Sequence, residues 1–546
     1  MLGILENSLK YLEKCTTLRS FLQVHAQIVI KGFDRDNYAA VKLISFCSKK
    51  LGDRDYARMV FDNLIDSANV FLWTAIITSY SNYQSEVTRE AILIYRMMHQ
   101  RGAHPNPFTI SSVLKACSFL KAVPEGNQVH AHSTKLGHNS SMYVQATLAD
   151  MYTRVGRIQE ASRLLWTSSE DNVVLCNTMI SHYCKEGDME AARELFDKMS
   201  HKDSVSWNVM ISGYAGIGDT STARKLFDQM TEREISSWNA LMAGYCRDGG
   251  WYEVMSLFKE MNLRNIKPNH VSMAMLMSAC GHLGALEIAT QLHGFLAKSC
   301  IWMNCYVFNS LLDMYAKSGD VREAYRVFSE IPDKDVVSYN IIILGFVSHG
   351  HEKDAMKFFT EMIESGIQPD TITFLGILTA CSHAGFIDTG REYFECMSRD
   401  YLIEPSADHY ACIVDLYGRA GLVKEAYDFV KAMPIKPHAG VWGALLNACR
   451  IHCEIDIGMV AARELFSIEP LNPGNYVLLS NLFARANLWG NVAEIRHAMR
   501  RKVPKTAGCS WIEVKGEVNE FLIGDEKHPH SKSIKEVLRH LLMQIE

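Results

Sequence analysis

The sequence of 546 residues lacks several features that mark membrane, secreted or strongly basic proteins. It has no uninterrupted apolar run of about 18 residues, so a membrane span is not expected. Lys and Arg number 56 against 61 Asp and Glu, a formal net charge of −5. This balance excludes a uniformly cationic surface but is compatible with a local basic groove. The N-terminal segment carries Glu6 and Glu13 without an apolar core or an Arg/Ser-rich stretch, so it resembles neither a secretory signal nor an organelle presequence.

Paired cysteines are also absent, although cysteine itself is not rare. The 15 cysteines are scattered along the chain, and no two of them form a C-x-x-C motif. Several fall where the helical pattern requires apolar residues, namely Cys117, Cys280, Cys381 and Cys412. We therefore expect small buried thiols in a reducing compartment rather than a disulfide framework.

The dominant feature of the sequence is a repeat of 31 to 37 residues. The stretches Ser204–Met230 and Ile235–Met261 share Trp-Asn, Gly-Tyr, a glycine break, Leu-Phe and Met in the same order. Twelve such units can be aligned, the last of which ends at His438. They begin at Asn37, Val70, Pro107, Met142, Val173, Ser204, Ile235, His270, Cys305, Val336, Thr371 and Ala407. Self-similarity at this period is typical of a solenoid.

Each unit is predicted to form two helices. The unit Val336–Asp370 contains two apolar stripes with helical spacing: Tyr339, Ile342, Ile343 and Phe346, then Ala355, Phe358, Phe359 and Met362. Gly350 separates the two stripes, and Gly366 and Pro369 close the second. Neither helix can bury its stripe alone, whereas stacked neighbours can. The pattern therefore predicts an all-α solenoid of helix-turn-helix repeats with an inner groove.

The repeat lengths and the closing residues distinguish two repeat families. Tetratricopeptide units keep 34 residues, whereas these units vary and often close with Asn or Asp. Together with GIQPD (Gly366–Asp370), Thr371–Phe394 and Asp408–Pro434, this pattern resembles the pentatricopeptide repeat (PPR) family of plant organelles. The similarity is to the subclass that mixes standard, long and short (PLS) repeats. It implies a right-handed superhelical solenoid.

The resemblance also divides the chain into segments. Residues 1–36 are a partial, degenerate repeat and 37–438 the array of about twelve repeats. Residues 439–506 are similar to the family's helical-pair "E" extension and 507–546 to its "E-plus" tail. Within the tail, Trp511–Val514 and Val518–Leu522 predict a short hairpin around Lys515-Gly516. Ser533–Ile545 predicts an amphipathic helix with Ile534, Val537, Leu538, Leu541 and Leu542 on one side.

The fifth residue of many units is an asparagine, and its position in the repeat predicts a role. Asn208 follows the apolar Trp207, so it is turned about 100° from the buried stripe and should line the groove. Its amide offers donors and an acceptor to the edge of an unstacked RNA base. The alternative is that these polar residues cap helices or join repeats. Capping suits the closing Asn and Asp residues better than an asparagine inside a helix.

The resemblance implies that the fifth and last residues of a unit together read one base. Asn177/Asp203, Asn309/Asp335 and Asn340/Asp370 are similar to uracil-preferring pairs, Asn239/Asn269 to a pyrimidine pair and Thr74/Asn106 to an adenine pair. Asn208/Glu234 and Ala146/Asn172 fall outside the pattern, which leaves their bases open. The long units, with Ser111/Ser141, Ala274/Asn304 and Leu375/Ser406, are interpreted as spacers. Second residues such as Val174, Val205 and Val337 are expected either to wedge between bases or to pack.

No catalytic or metal site is predicted. Deaminases related to such proteins use H-x-E with a later P-C-x-x-C, whereas this chain lacks C-x-x-C and ends at Glu546, where the resemblance puts that domain. His452-Cys453-Glu454 is an H-x-E, and Cys449 lies near it, but we interpret this cluster as an accident of a helix end rather than a zinc site.

The resemblance implies a site-recognition factor for C-to-U editing that binds pyrimidine-rich, single-stranded organellar RNA as a monomer, with the RNA 5′ end toward the N-terminus. The implied partners are a separate DYW-type deaminase and multiple organellar RNA editing factors. The implied location is the mitochondrion, with the chloroplast as the alternative, and neither a cofactor nor a membrane is required. The alternatives are an RNA-binding factor for splicing, stabilisation or translation, and a tetratricopeptide-like protein scaffold. The tail is interpreted either as a cap on the array or as the deaminase docking surface.

Overall fold

The computed structural model describes residues 11–12, 15, 18–82, 86–167, 172–298, 304–503, 509–514, 517–522 and 529–545. Nearly all of these residues are helical, which confirms the predicted all-α solenoid class. The chain forms two compact units, residues 1–248 and 249–546. Both units are built from helical hairpins in which the first helices of successive repeats pack side by side.

The unit 1–248 consists of fourteen α-helices, together with short 3₁₀ or π turns, among its described residues. The helices are α1 Leu18–Ile30, α2 Asn37–Phe46, α3 Arg54–Asp62, α4 Val70–Ser81, α5 Arg89–Gln100, α6 Pro107–Leu120, α7 Val123–Lys135, α8 Met142–Arg154, α9 Ile158–Thr167, α10 Val173–Glu186, α11 Met189–Lys198, α12 Ser204–Gly216, α13 Thr220–Gln229 and α14 Ile235–Asp248. From α2 onward, the even-numbered helices are the first helices of the repeats.

The unit 249–546 continues the numbering. Its helices are α15 Trp251–Leu263, α16 His270–Leu283, α17 Leu286–Lys298, α18 Cys305–Ser318, α19 Val321–Glu330, α20 Val336–Ser348, α21 Glu352–Glu364, α22 Thr371–Ala384, α23 Ile387–Arg399, α24 Ala407–Arg419, α25 Val423–Lys431, α26 Ala439–His452, α27 Ile455–Ile468, α28 Pro473–Arg485, α29 Trp489–Lys502 and α30 Ser531–Ile545. Two strands, β1 Cys509–Val514 and β2 Glu517–Leu522, precede α30.

Polar residues that close one repeat start the first helix of the next. Asn106, Asp203, Asn269, Asp335 and Asp370 are all N-caps, and each accepts a hydrogen bond from the backbone N–H three residues later. In all five, the Ser or Thr at that third position bonds back to the cap backbone. This reciprocal arrangement satisfies backbone donors that the first turn leaves unpaired. The capping role that the sequence offered for these residues is therefore present.

Aromatic pairs hold successive hairpins together. A phenylalanine of one second helix meets the ring at the fourth position of the next first helix edge to face. The ring centroids are 4.8 Å apart for Phe61–Trp73, 5.0 Å for Phe196–Trp207, 4.8 Å for Phe227–Trp238 and 5.1 Å for Phe328–Tyr339. Such contacts add to the stabilisation from apolar burial. Trp238 is fully buried, whereas Trp207, placed in the core by its repeat position, is partly exposed.

Buried thiols complete the core of several first helices. Cys117, Cys280 and Cys381 are buried, as their positions predicted, whereas Cys412 is partly exposed and its thiol contacts the Thr379 hydroxyl. Burial raises the pKa of Cys117 and Cys381 to about 12, so these thiols stay protonated and behave as small apolar groups.

The C-terminal tail forms the predicted hairpin and helix. Strands β1 and β2 are antiparallel, with Ile512 opposite Asn519, and the predicted turn Lys515-Gly516 lies outside the described residues. Helix α30 begins at Ser531, two residues before its predicted start. On α30, Val537, Leu538 and Leu541 are about half exposed. None of the helices that the structure describes has the length and apolar character needed to cross a membrane.

Candidate nucleic-acid interface

Three of the predicted base-reading pairs are joined by direct hydrogen bonds. In each pair, the amide of the fifth residue donates to the carboxylate of the last residue. The distances between Nδ2 and Oδ1 are 3.1 Å for Asn177–Asp203, 3.2 Å for Asn309–Asp335 and 3.0 Å for Asn340–Asp370. The structure therefore brings together residues that are 26 to 30 positions apart in the sequence.

The same carboxylate oxygen also serves as the helix cap. Asp370 Oδ1 accepts from the Thr373 backbone N–H at 2.9 Å and from the Asn340 amide, and it lies 3.0 Å from the Thr373 hydroxyl oxygen. Capping and pairing are thus two roles of one atom. The second oxygen, Oδ2, takes part in none of these contacts.

The orientation of the asparagine amide is fixed from its other end in two of the pairs. Asn340 Oδ1 accepts from the Thr373 hydroxyl at 2.6 Å, and Asn309 Oδ1 accepts from the Ser338 hydroxyl at 2.8 Å. Asn177 Oδ1 is buried and has no hydrogen-bond partner among the described residues. All three side chains are at least nine-tenths buried. The amide therefore turns its NH₂ toward the carboxylate, and one N–H lies beside one carboxylate oxygen.

A donor beside an acceptor matches the Watson–Crick edge of a base, where the same two functions alternate. Two of the carboxylates, those of Asp335 and Asp203, are held ionised. Partial burial works to raise the pKa of Asp335, but hydrogen bonds from Ser338 and Asn309 outweigh it and lower the pKa. The pKa of Asp203 is likewise lowered, because bonds from Ser206 and Asn177 outweigh burial. These two pairs thus present an anionic acceptor at neutral pH.

The other predicted pairs have different geometries. Asn208 donates to the Ser236 hydroxyl at 2.9 Å rather than to Glu234. Its Oδ1 is buried with no partner in the described part of the chain. Thr74 and Asn106 are coupled through one hydroxyl, because Thr109 Oγ1 lies 2.7 Å from Thr74 Oγ1 and donates to Asn106 Oδ1 at 2.9 Å.

The pair Asn239/Asn269 is divided between the two compact units. Asn239 is partly buried on α14 of the unit 1–248. Asn269 caps α16 of the unit 249–546 and accepts from the Ser272 backbone N–H at 3.0 Å. Asn269 therefore has the same capping geometry as the closing aspartates.

Large apolar side chains stand exposed at the second position of most repeats. Their exposed fractions lie between 42% and 65%, and they recur at the same repeat position. They are Tyr38, Phe71, Phe108, Tyr143, Val174 and Val205 in the unit 1–248, and Tyr306, Val337 and Ile372 in the unit 249–546. Sequence reasoning singled out only the valines. The aromatic members occupy the same position of the repeat, so the alignment of the repeats could have identified them as well.

Three cavities in the unit 1–248 each contain one predicted pair. A cavity of about 600 Å³ is lined by Asn177 and Asp203, with Val174 and Val205 also in its wall. One of about 720 Å³ contains Thr74, Asn106, Phe71 and Phe108, and one of about 730 Å³ contains Asn208, Glu234 and Val205. In all three cases, the polar pair and an apolar second-position residue therefore line the same cavity.

Each of these cavities also has a cationic side chain in its wall. Lys115 lines the cavity of Thr74 and Asn106, and Arg247 that of Asn208. Lys185 lines both the cavity of Asn177 and the neighbouring one of Asn208. A polar pair, apolar side chains and a cation thus recur together. This combination can accommodate a base, its stacking face and a phosphate.

The H-x-E sequence in the C-terminal hairpins has a structural explanation. His452 Nε2 lies 2.9 Å from the Gly418 carbonyl, and Cys453 ends α26 in the left-handed conformation with φ 63°. Cys449 is fully buried. In the part of the chain that the structure describes, no three His, Cys, Asp or Glu side chains are grouped as a metal site would require.

Known protein families match in the same regions. The family described as "PPR repeat family" matches residues 171–203, 234–282 and 334–383, and the one described as "PPR repeat" matches 205–235, 306–336 and 408–436. The E motif matches residues 452–513.

Similar proteins cover almost the whole chain. A pentatricopeptide repeat-containing protein of Arabidopsis thaliana is 42% identical over 545 residues, 99% of this chain and 82% of that protein. A second is 42% identical over 575 residues, covering 99% and 95%. A third, named as chloroplastic, is 40% identical over 531 residues, covering 97% and 90%. Among solved structures, the pentatricopeptide repeat protein PPR10 in complex with an 18-nt psaJ RNA element has a similar fold, with TM-score 0.53, 18% identity and coverage of 88% and 77%.

Proposed function

The chain belongs to the pentatricopeptide repeat family, and from this membership we propose that it binds single-stranded RNA of plant organelles in a sequence-specific manner. We propose further that it selects sites for C-to-U editing. The observation that carries the proposal is the hydrogen-bonded pair of fifth and last residues, formed in three repeats beside exposed apolar side chains.

Recognition follows from the chemistry of one cavity. A base enters between two second-position side chains, such as Val174 and Val205, which cover its faces. Its edge then meets the amide N–H of Asn177 and the carboxylate of Asp203. Lys185, which also lines this cavity, neutralises a phosphate. Affinity thus arises from stacking and charge, and selectivity from the pair.

The proposed target is pyrimidine-rich. The pairs Asn177/Asp203, Asn309/Asp335 and Asn340/Asp370 select uracil, Asn239/Asn269 a pyrimidine and Thr74/Asn106 adenine, while Asn208/Glu234 contacts a base of unassigned identity. The units that begin at Cys305 and Val336 are consecutive, so their two bases are neighbours in the RNA. The chain binds as a monomer, with the 5′ end of the RNA toward its N-terminus.

The match to the E motif supports an editing role. In this proposal the chain recognises the site, and a separate DYW-type deaminase, assembled with organellar editing factors, supplies the chemistry. The half-exposed apolar residues Val537, Leu538 and Leu541 of α30 support a docking role for the tail, since a tail that only capped the array would bury them. The proposed location is the mitochondrion, with the chloroplast as the alternative. Splicing, stabilisation or translation is the second candidate, because the repeats would serve it equally well.

A single substitution tests base reading. Asn340→Thr with Asp370 retained is expected to move the preference at one RNA position from U toward G, measured by binding to the four single-base variants of the target. Asn262→Thr, an exposed position on the second helix α15, is the control and should change no preference. An unchanged preference in Asn340→Thr would remove the base-reading role of that unit.

Two further measurements separate the candidate functions. RNA affinity should fall steeply with salt, because phosphate contacts release counterions. A flat salt response without any RNA preference would favour a protein scaffold. Sequencing of organellar transcripts from plants that lack the protein is expected to show loss of editing at one or a few cytidines. Altered splicing with intact editing would favour the second candidate.

A further inference from the structure

One of the three hydrogen-bonded pairs has a third member, a cysteine at the first position of its repeat. Cys305 Sγ lies 3.3 Å from Asp335 Oδ2, close enough for the thiol to donate to the carboxylate. Asn309 Nδ2 lies 3.6 Å from the same sulfur and donates to it. The thiol's other possible acceptor, the Asp333 carbonyl, is farther away at 3.9 Å. The thiol therefore contacts both members of the pair.

The atoms that the thiol engages are those that the pair would offer to a base. Asn309 already donates one N–H to Asp335 Oδ1, and its Oδ1 accepts from Ser338. The bond to sulfur takes the second N–H, and the thiol proton takes Oδ2 of Asp335. Both N–H groups of Asn309 and both carboxylate oxygens of Asp335 thus have a partner within the protein.

The two sister pairs provide a natural comparison. Asn177/Asp203 and Asn340/Asp370 have the same residues and the same Nδ2 to Oδ1 bond, but their repeats begin with Val173 and Val336. A valine side chain neither donates nor accepts hydrogen bonds. In these two pairs the first residue of the repeat therefore does not compete for the second N–H of the asparagine or for Oδ2 of the aspartate.

We propose that Cys305 is a positioning and specificity-determining residue of its repeat, which weakens base discrimination by holding the outward donor and acceptor of Asn309 and Asp335. The inference rests on the proposed RNA-reading function. A base that binds this repeat must displace the thiol from both atoms, whereas a base at the sister repeats meets them unoccupied. The repeat keeps the part of its RNA affinity that comes from stacking on Tyr306 and Val337, because these two side chains are not members of the pair.

The thiol form is the one present at neutral pH. Partial burial raises the pKa of Cys305, and its hydrogen bond to the Asp335 carboxylate raises it further. A protonated thiol can donate to Asp335, whereas a thiolate would repel that carboxylate.

Reciprocal substitutions test the proposal. Cys305→Val gives this repeat the first residue of its sisters, and Val336→Cys gives a sister repeat the thiol. The RNA is selected from a randomised single-stranded pool, and binding is then measured on single-base variants at the two neighbouring nucleotides. We expect Cys305→Val to increase the ratio of best to next-best base at its nucleotide by about 3-fold, as for loss of one weak competing hydrogen bond. Val336→Cys should lower the ratio at the adjacent nucleotide by a similar factor.

A conservative variant separates positioning from packing. Cys305→Ser keeps a donor at the same place, so it should leave the ratio close to that of the native protein. Ratios unchanged in both Cys305→Val and Val336→Cys would overturn the inference, as would an equal change in affinity for all four bases. Asn309→Ala distinguishes this failure from failure of the proposed function. If Asn309→Ala changes no base preference, RNA reading by this repeat is wrong, whereas a change there with silent Cys305 variants overturns only the role of the thiol.

Discussion

Asp370 allows helix capping and the proposed base reading to be measured separately, because Oδ1 serves the cap and Oδ2 takes no part in it. Asp370→Ala removes the cap of α22, which is worth about 1 kcal/mol. It also leaves the buried Asn340 N–H without its acceptor, at about 1–2 kcal/mol more. We expect the free energy of unfolding to fall by about 2–3 kcal/mol in total. Asp370→Asn keeps an oxygen in the Oδ1 position, so its loss should stay below about 1 kcal/mol.

Asp370→Asn, which should largely keep the stability, should nevertheless change the base preference in RNA binding. Asp370→Asn replaces a charged acceptor by a neutral amide, and bonds to charged groups are roughly twice as strong as neutral ones. We expect the discrimination for uracil at this nucleotide to relax toward either pyrimidine by about 1 kcal/mol, which is about 5-fold. Urea unfolding gives the stability, and binding to four single-base RNA variants gives the preference. If Asp370→Asn destabilises as much as Asp370→Ala, or leaves the base preference intact, the division of roles between the two oxygens is wrong.

Three further predictions address stacking, charge and pH. Phe108→Ala, at a site that is 60% exposed, should weaken RNA binding by about 1–3 kcal/mol for all sequences alike with little change in melting temperature. An effect confined to one base would contradict stacking. Lys185→Ala should lower the salt slope of log K by about 1, and an unchanged slope would exclude a phosphate contact. Burial lowers the pKa of His130, which bonds the Tyr152 hydroxyl, so protonation favours the unfolded chain. Its contribution to stability should be complete above the ordinary histidine pKa of about 6.5 and lost as pH falls through the folded value, in melting curves that His130→Gln flattens.

The repeat pattern of the sequence predicted most of the fold. The twelve residues at which units were predicted to begin are also the residues at which first helices begin. The physical reason is local, since a closing Asn or Asp caps the next helix and a glycine such as Gly187, with φ 80°, ends it. Such signals lie within a few residues of the boundaries that they set.

The details of the pairs depended on contacts across a whole repeat. Asn177 and Asn340 have the same repeat position and the same type of partner, yet only Asn340 has its Oδ1 satisfied, by Thr373 of the next repeat. The proposed role of Cys305 could not be predicted either, because the sequence does not show that its thiol lies beside Asp335. Such contacts depend on how side chains of two repeats are placed against each other, which residue types alone do not specify.

If the closing aspartate reads a base as proposed, its second role as a helix cap limits how such a protein can change its target. A repeat that evolves a new base preference through its last residue must choose among side chains that also start a helix, chiefly Asn, Asp, Ser and Thr. An exchange between Asp203 and asparagine alters the reading at little loss of stability, whereas a non-capping residue weakens the array at every repeat where it occurs. The residue types available for recognition at this position are therefore restricted first by the need to cap a helix and only then by RNA binding.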